Sequence, residues 1–121
     1  MKKVMIIEDD PAILDVLGII FTRAGYKAIT HANGNFIMQG EFDLPDLFII
    51  DKQLQGVDGL DLCKHLKGRQ LTRHLPVIIL SATPHLHTQI EHAGADAFLE
   101  KPFSNNNLLQ VVNDLINGHG S

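Results

Sequence analysis

Three short apolar runs set the rhythm of the chain: VMII at 4 to 7, LFII at 47 to 50 and VIIL at 77 to 80. Each is continuous rather than alternating, the pattern of strands covered on both faces, as in a parallel sheet. Two weaker runs, KAITHA at 27 to 32 and AFLE at 97 to 100, bring the predicted strands to five. Helical spacing fills the gaps. Asp10 is placed to cap a helix with Pro11 at its first position, Leu14, Leu17, Phe21 and Ala24 recur on one face, and Gly25 ends it. Asp58 can cap GLDLCKHLK, with Leu62 and Leu66 on one side, and Ser104 can cap a last helix whose stripe is Leu108, Val112 and Leu115. The segments 34 to 40 and 85 to 93 show the weakest helical patterns.

Strand followed by helix, repeated to the end, predicts a single α/β domain over 1–121: a doubly wound five-stranded parallel sheet of order 2-1-3-4-5, flanked by five helices, flavodoxin-like. A chain of 121 residues is long enough to bury such a core. The charge balance, 10 basic against 14 acidic residues, excludes a broad nucleic-acid patch. The first apolar run stops at three acids after four residues, too short for a signal peptide or a membrane span, and the single cysteine, Cys63, fits a reducing compartment. These point to a cytoplasmic protein with no membrane association. The terminal NGHGS reads as a frayed end.

In a doubly wound sheet, ligands bind beyond the carboxyl ends of the strands. There the sequence places Glu8, Asp9 and Asp10 after strand 1, Asp51 after strand 3, Ser81 after strand 4, and Glu100 and Lys101 at the end of strand 5. Carboxylates crowded on one rim repel, so they either take up protons or bind a cation. An all-oxygen donor set favours a hard ion such as Mg²⁺, which readily shares its ligand sphere with phosphate. Lys101 and Ser81 then read as phosphate ligands, and Asp51 as a nucleophile toward phosphorus that would form an acyl phosphate. Asp10 is accounted for by the helix cap alone.

The segments IIEDDP at 6 to 11, IIDKQLQGVDG at 49 to 59, VIILSAT at 77 to 83 and AGADAFLEKPF at 93 to 103, in this order, resemble the response-regulator receiver domains of two-component signalling, the CheY-like family. The resemblance implies that Asp51 accepts a phosphoryl group from a histidine kinase or histidine phosphotransfer protein. It implies that Asp9 and Asp51 ligate Mg²⁺ directly, joined by the backbone carbonyl of Gln53, with Glu8 acting through metal-bound water. Ser81 and Lys101 would hold phosphoryl oxygens. A shift of Ser81 would be coupled to an inward turn of Phe98, repacking the face of helix 4, strand 5 and helix 5 for a partner. The Lys101-Pro102 bond is expected to be cis.

The departures are specific. Gln55 stands where the family often has proline, which predicts a looser loop after Asp51; Phe98 replaces a frequent tyrosine and so carries no phenolic hydroxyl; Gln53 and Thr83 resemble the family's positions that tune phosphoryl lifetime. His85, His87 and His92 have poor spacing for a metal and read as a solvated helix, and Cys63 as a small apolar packing residue. The resulting expectation is a signalling phosphoacceptor and not a dedicated enzyme. Its output would pass to a downstream effector or to an output domain missing from this chain, with homodimerisation on phosphorylation as one outcome. Two other functions compete. A phosphohydrolase with an aspartyl nucleophile would want an acid two residues after it, where this chain has Gln53; a degenerate receiver serving only as a binding module would not need Asp9, Asp51, Ser81 and Lys101 together.

Overall fold

The computed structural model describes residues 1–40, 42–83 and 85–118; residues 119 to 121 of the NGHGS tail lie outside them. The apolar runs become β1 (Lys3–Ile7), β3 (Leu47–Asp51) and β4 (Val77–Ser81), joined by β2 (Lys27–His31) and β5 (Ala97–Glu100). All neighbours pair in parallel, in the order β2-β1-β3-β4-β5. The expected topology is therefore present. Strands 3 and 4 each run one residue further than their apolar stretch, so Asp51 and Ser81 are the last residues of their strands, and β2 stops at His31, one residue short of the predicted run.

Alternation, invisible in the letters, reappears in the packing because successive side chains of a strand leave opposite faces. Met5, Ile7, Phe48, Ile50, Val77 and Ile79 pack on one side, and Val4, Ile6, Leu47, Ile49, Ile78 and Leu80 on the other. The first set is covered by α2 (Asn35–Gln39), α3 (Gly59–Lys67) and α4 (His87–His92), through Ile37, Leu62, Cys63, Leu66 and Ile90. The second set is covered by α1 (Pro11–Arg23) and α5 (Asn105–Ile116), through Leu17, Phe21, Leu108 and Val112. Cys63 is buried, and burial pushes its thiol pKa to about 11, so it is inert packing.

The caps form as the sequence predicts. Asp10 accepts hydrogen bonds from the Ala12 and Ile13 amides at 2.9 and 3.3 Å, Asp58 from Leu60 at 2.8 Å, and Ser104 from Asn107 at 3.0 Å. Helices α2 and α4 have no side-chain cap, and each contributes one buried residue, Ile37 and Ile90. They exist by packing more than by local propensity. A polar knot fastens the amino end of β5: the Asp96 carboxylate accepts from the Val77 amide at 2.8 Å and from Lys67 Nζ at 2.7 Å, while Lys67 also donates to the Leu75 carbonyl at 2.8 Å.

Candidate active site

Register alone brings the acids together. Ile7 of β1 lies opposite Ile50 of β3, so the residues that follow, Glu8 and Asp51, emerge side by side where the sheet meets solvent. Lys101, just past β5, reaches across both: Nζ lies 3.1 Å from Glu8 Oε1 and 3.3 Å from Asp51 Oδ2. Glu8 is 1% exposed and Asp51 6%, so this triad sits in a weakly hydrated rim rather than in bulk solvent. One oxygen each from Glu8, Asp9 and Asp51 falls within a 4.8 Å cluster, the one such group of potential metal ligands among the described residues. His85, His87 and His92 form no such group.

The electrostatics follow from that crowding. Burial first, then hydrogen bonding and repulsion from Asp51, raise the Glu8 pKa to about 7, against the pull of Lys101. Burial alone would lower Lys101, but its hydrogen bond to Glu8 and the charges of Asp51 and Glu8 outweigh it and leave the ammonium's pKa above its ordinary value. The rim therefore holds more negative charge than one lysine neutralises. A cluster of three hard oxygen donors, two of them buried, fits a divalent cation of the Mg²⁺ type.

The acids line a cleft of about 420 Å³, completed by Asp10, Ile13, Gln53, Leu54, Gln55, Ala82 and Lys101. Ile13, Leu54 and Ala82 carry no polar signature and could have been found only from their neighbours in sequence. The Gln53 amide donates to Asp51 Oδ1 at 3.3 Å, which fixes the start of the loop. That loop is tied despite Gln55: Lys52 Nζ pairs with Asp58 Oδ2 at 3.0 Å, and the Gly59 amide donates to the Lys52 carbonyl at 2.8 Å. Gly59 is required there, because a Cβ would overlap the Asp51 carbonyl and lie 2.8 Å from the Lys52 Cα.

Two expected residues are held apart from the triad. The Ser81 hydroxyl is engaged with Thr83, accepting from its amide at 3.1 Å and donating to its carbonyl at 3.3 Å, and Ala82 lines the cleft in its place. Phe98 is half-buried on β5 and meets His87 edge-on, ring centroids 4.4 Å apart. The Lys101-Pro102 bond is cis, as expected. Beyond it lies an apolar groove of about 430 Å³ between α1 and the start of α5, which shares Ile13 and Lys101 with the cleft and adds Val16, Ile20, Pro102 and Phe103.

Comparison with known proteins places this geometry. Residues 4–113 match the family model described as the response regulator receiver domain. The chain is 34% identical over 119 residues to the DNA-binding dual master transcriptional regulator RpaA of Synechocystis, covering 96% of this chain and 49% of that protein. It thus spans about half the length of the curated relatives it matches. The receiver domain of a signal transduction histidine kinase from Syntrophus aciditrophicus superposes with a TM-score of 0.90 at 31% identity, covering 98% of this chain and 92% of that one. The response regulator TrrA of Thermotoga maritima, in complex with Mg(2+)-BeF, does so at 0.84 and 26% identity, over 95% and 99%.

Proposed function

Because the chain belongs to the response regulator receiver domain family, we propose that it is a phosphoacceptor of two-component signalling in which Asp51 carries the phosphoryl group. The observation that supports this most directly is the Lys101 bridge to Glu8 and Asp51 beside a three-carboxylate cluster. An Asp51 oxygen attacks the phosphorus of a phosphohistidine on a sensor kinase or phosphotransfer protein; the P–O bond forms as the P–N bond breaks. The imidazole nitrogen leaves with the electron pair and is protonated from solvent. Lys101, cationic throughout the neutral range, neutralises charge on the phosphoryl oxygens. Asp9 and Asp51, joined by the Gln53 carbonyl, would hold Mg²⁺ directly, with Glu8 acting through metal-bound water, and the ion would supply charge neutralisation to both the carboxylates and the transferred group. The complex described for TrrA supports that choice of ion.

The donor docks over the apolar groove, which adjoins the cleft at Ile13 and Lys101 and exposes Val16 by 54%. After transfer, Ser81 leaves Thr83 for a phosphoryl oxygen and Phe98 turns away from His87, altering the α4-β5-α5 face. That face docks a downstream effector, an output domain or a second copy of the chain. A cytoplasmic setting goes with this reading of the family. Among the described residues no helix is long and apolar enough to cross a membrane.

Intact mass after incubation with Mg²⁺ and acetyl phosphate or phosphoramidate tests the reading. The expected result is one added phosphoryl group, absent in Asp51→Ala and with excess chelator. No gain, together with no binding of beryllofluoride, would sink it in favour of a phosphate-independent binding module. Sedimentation with beryllofluoride tests the second copy: an unchanged mass refutes dimerisation.

A further inference from the structure

We propose that the Lys52–Asp58 ion pair is a positioning clamp that sets the affinity of the site for its divalent cation; this rests on the reading of the Gln53 carbonyl as a ligand. The pair closes the loop that leaves β3 and returns to α3. Lys52 Nζ is 3.0 Å from Asp58 Oδ2, while Asp58 Oδ1 accepts from the Leu60 amide at 2.8 Å, so one carboxylate ties the loop and caps the helix. Inside the clamp, Gln53 forms an isolated antiparallel bridge with Asp58, and its amide is fastened to Asp51 Oδ1 at 3.3 Å. Gly56, with φ of 87°, makes the turn at the far end. Gln55 lacks the fixed φ of a proline and restrains nothing there. The direction of the peptide after Gln53, and hence of its carbonyl, therefore depends on the base of the loop staying closed.

Charge and geometry make opposite predictions for Lys52, which separates this role from a through-space field. Lys52 repels a cation, so by charge alone its removal tightens Mg²⁺ binding, whereas removal of the Asp58 charge weakens it. A clamp requires both to weaken it. The groups are partly exposed, 22% and 39%, so the effect is modest.

The experiment uses the full chain, titrated with MgCl₂ and followed by NMR amide shifts, as wild type, Lys52→Met, Lys52→Arg, Asp58→Asn and the Lys52→Met/Asp58→Asn double variant. Asp58→Asn keeps an oxygen to cap α3. Amide hydrogen exchange at residues 53 to 57 without metal is the second readout. Expected are an increase of about two- to fivefold in the Mg²⁺ dissociation constant for Lys52→Met and for Asp58→Asn, a double variant no weaker than either, recovery in Lys52→Arg, and faster loop exchange in the two single charge-removal variants. Tighter or unchanged Mg²⁺ binding by Lys52→Met overturns the clamp, as does unchanged exchange. A wild type that binds no Mg²⁺ overturns the cation reading beneath it, and that failure is recognisable because wild type and variants then behave alike at every concentration.

Discussion

Strands β3 and β5 both deliver charge to the same rim, yet they are built differently. All five residues of β3 are buried, it is paired on both sides, and it ends on the carboxylate that is 6% exposed. β5 is an edge strand whose one buried residue is Leu99, and it ends on exposed Glu100. A group that must meet a reactant in one geometry benefits from a support with no freedom, whereas a relay needs a support that can change. Under the proposed function, chemistry would sit on β3 and its consequence on β5.

The strongest way to break the contrast is to hollow out the stiff strand. Ile50→Ala, at a fully buried position, is expected to lower unfolding free energy by about 2 to 5 kcal/mol in urea titration. A loss within about 1 kcal/mol would show that β3 is not the rigid support claimed for it. Next in size is the charge beside that strand. The Glu8 pKa is raised to about 7 from 4.5, so the folded state holds the extra proton between these values. Stability in chelator should therefore fall as pH rises through that window, by up to about 3 kcal/mol, and level off above it. Added Mg²⁺ should flatten the slope, and Glu8→Gln should abolish most of it; thermal melts at pH 5 and pH 8 read both.

Gly59→Ala forces a methyl against the Asp51 backbone and should cost about 1 to 3 kcal/mol, with chemical-shift changes concentrated at the end of β3. The smallest effect belongs to the soft edge: Phe98→Leu, at a half-buried site, should lose under about 1.5 kcal/mol while changing which partners bind the α4-β5-α5 face. A loss as large as that of Ile50→Ala would erase the distinction between the strands.

How much of this could be read from the residues depends on how local the cause is. Central strands announce themselves, because residues such as Ile49 and Ile50 face opposite clusters and both must be apolar. The Asp10, Asp58 and Ser104 caps act within three residues and were equally legible. Helices α2 and α4 were faint because each rests on one buried residue and no cap. In the site, Glu8, Asp9, Asp51 and Lys101 could be placed by strand-end logic, since register does the assembling. The hydroxyl of Ser81 could not, because its choice of Thr83 is a rotamer decided by the local loop. The Lys52–Asp58 pair was hidden for a similar reason: two charges six positions apart meet only once the turn at Gly56 is made.

The knot at Asp96, and at the other end the Lys101 amide donating to the Ser81 carbonyl at 2.8 Å, give β5 the mechanics of a beam supported at both ends. With its root bonded to Val77 and Lys67 and its register with β4 set from Ala97 to Glu100, the strand is held against sliding. Cutting one support, by removing either Lys67 or Asp96, would leave the strand's register to the ladder with β4 and to the Lys101 end alone.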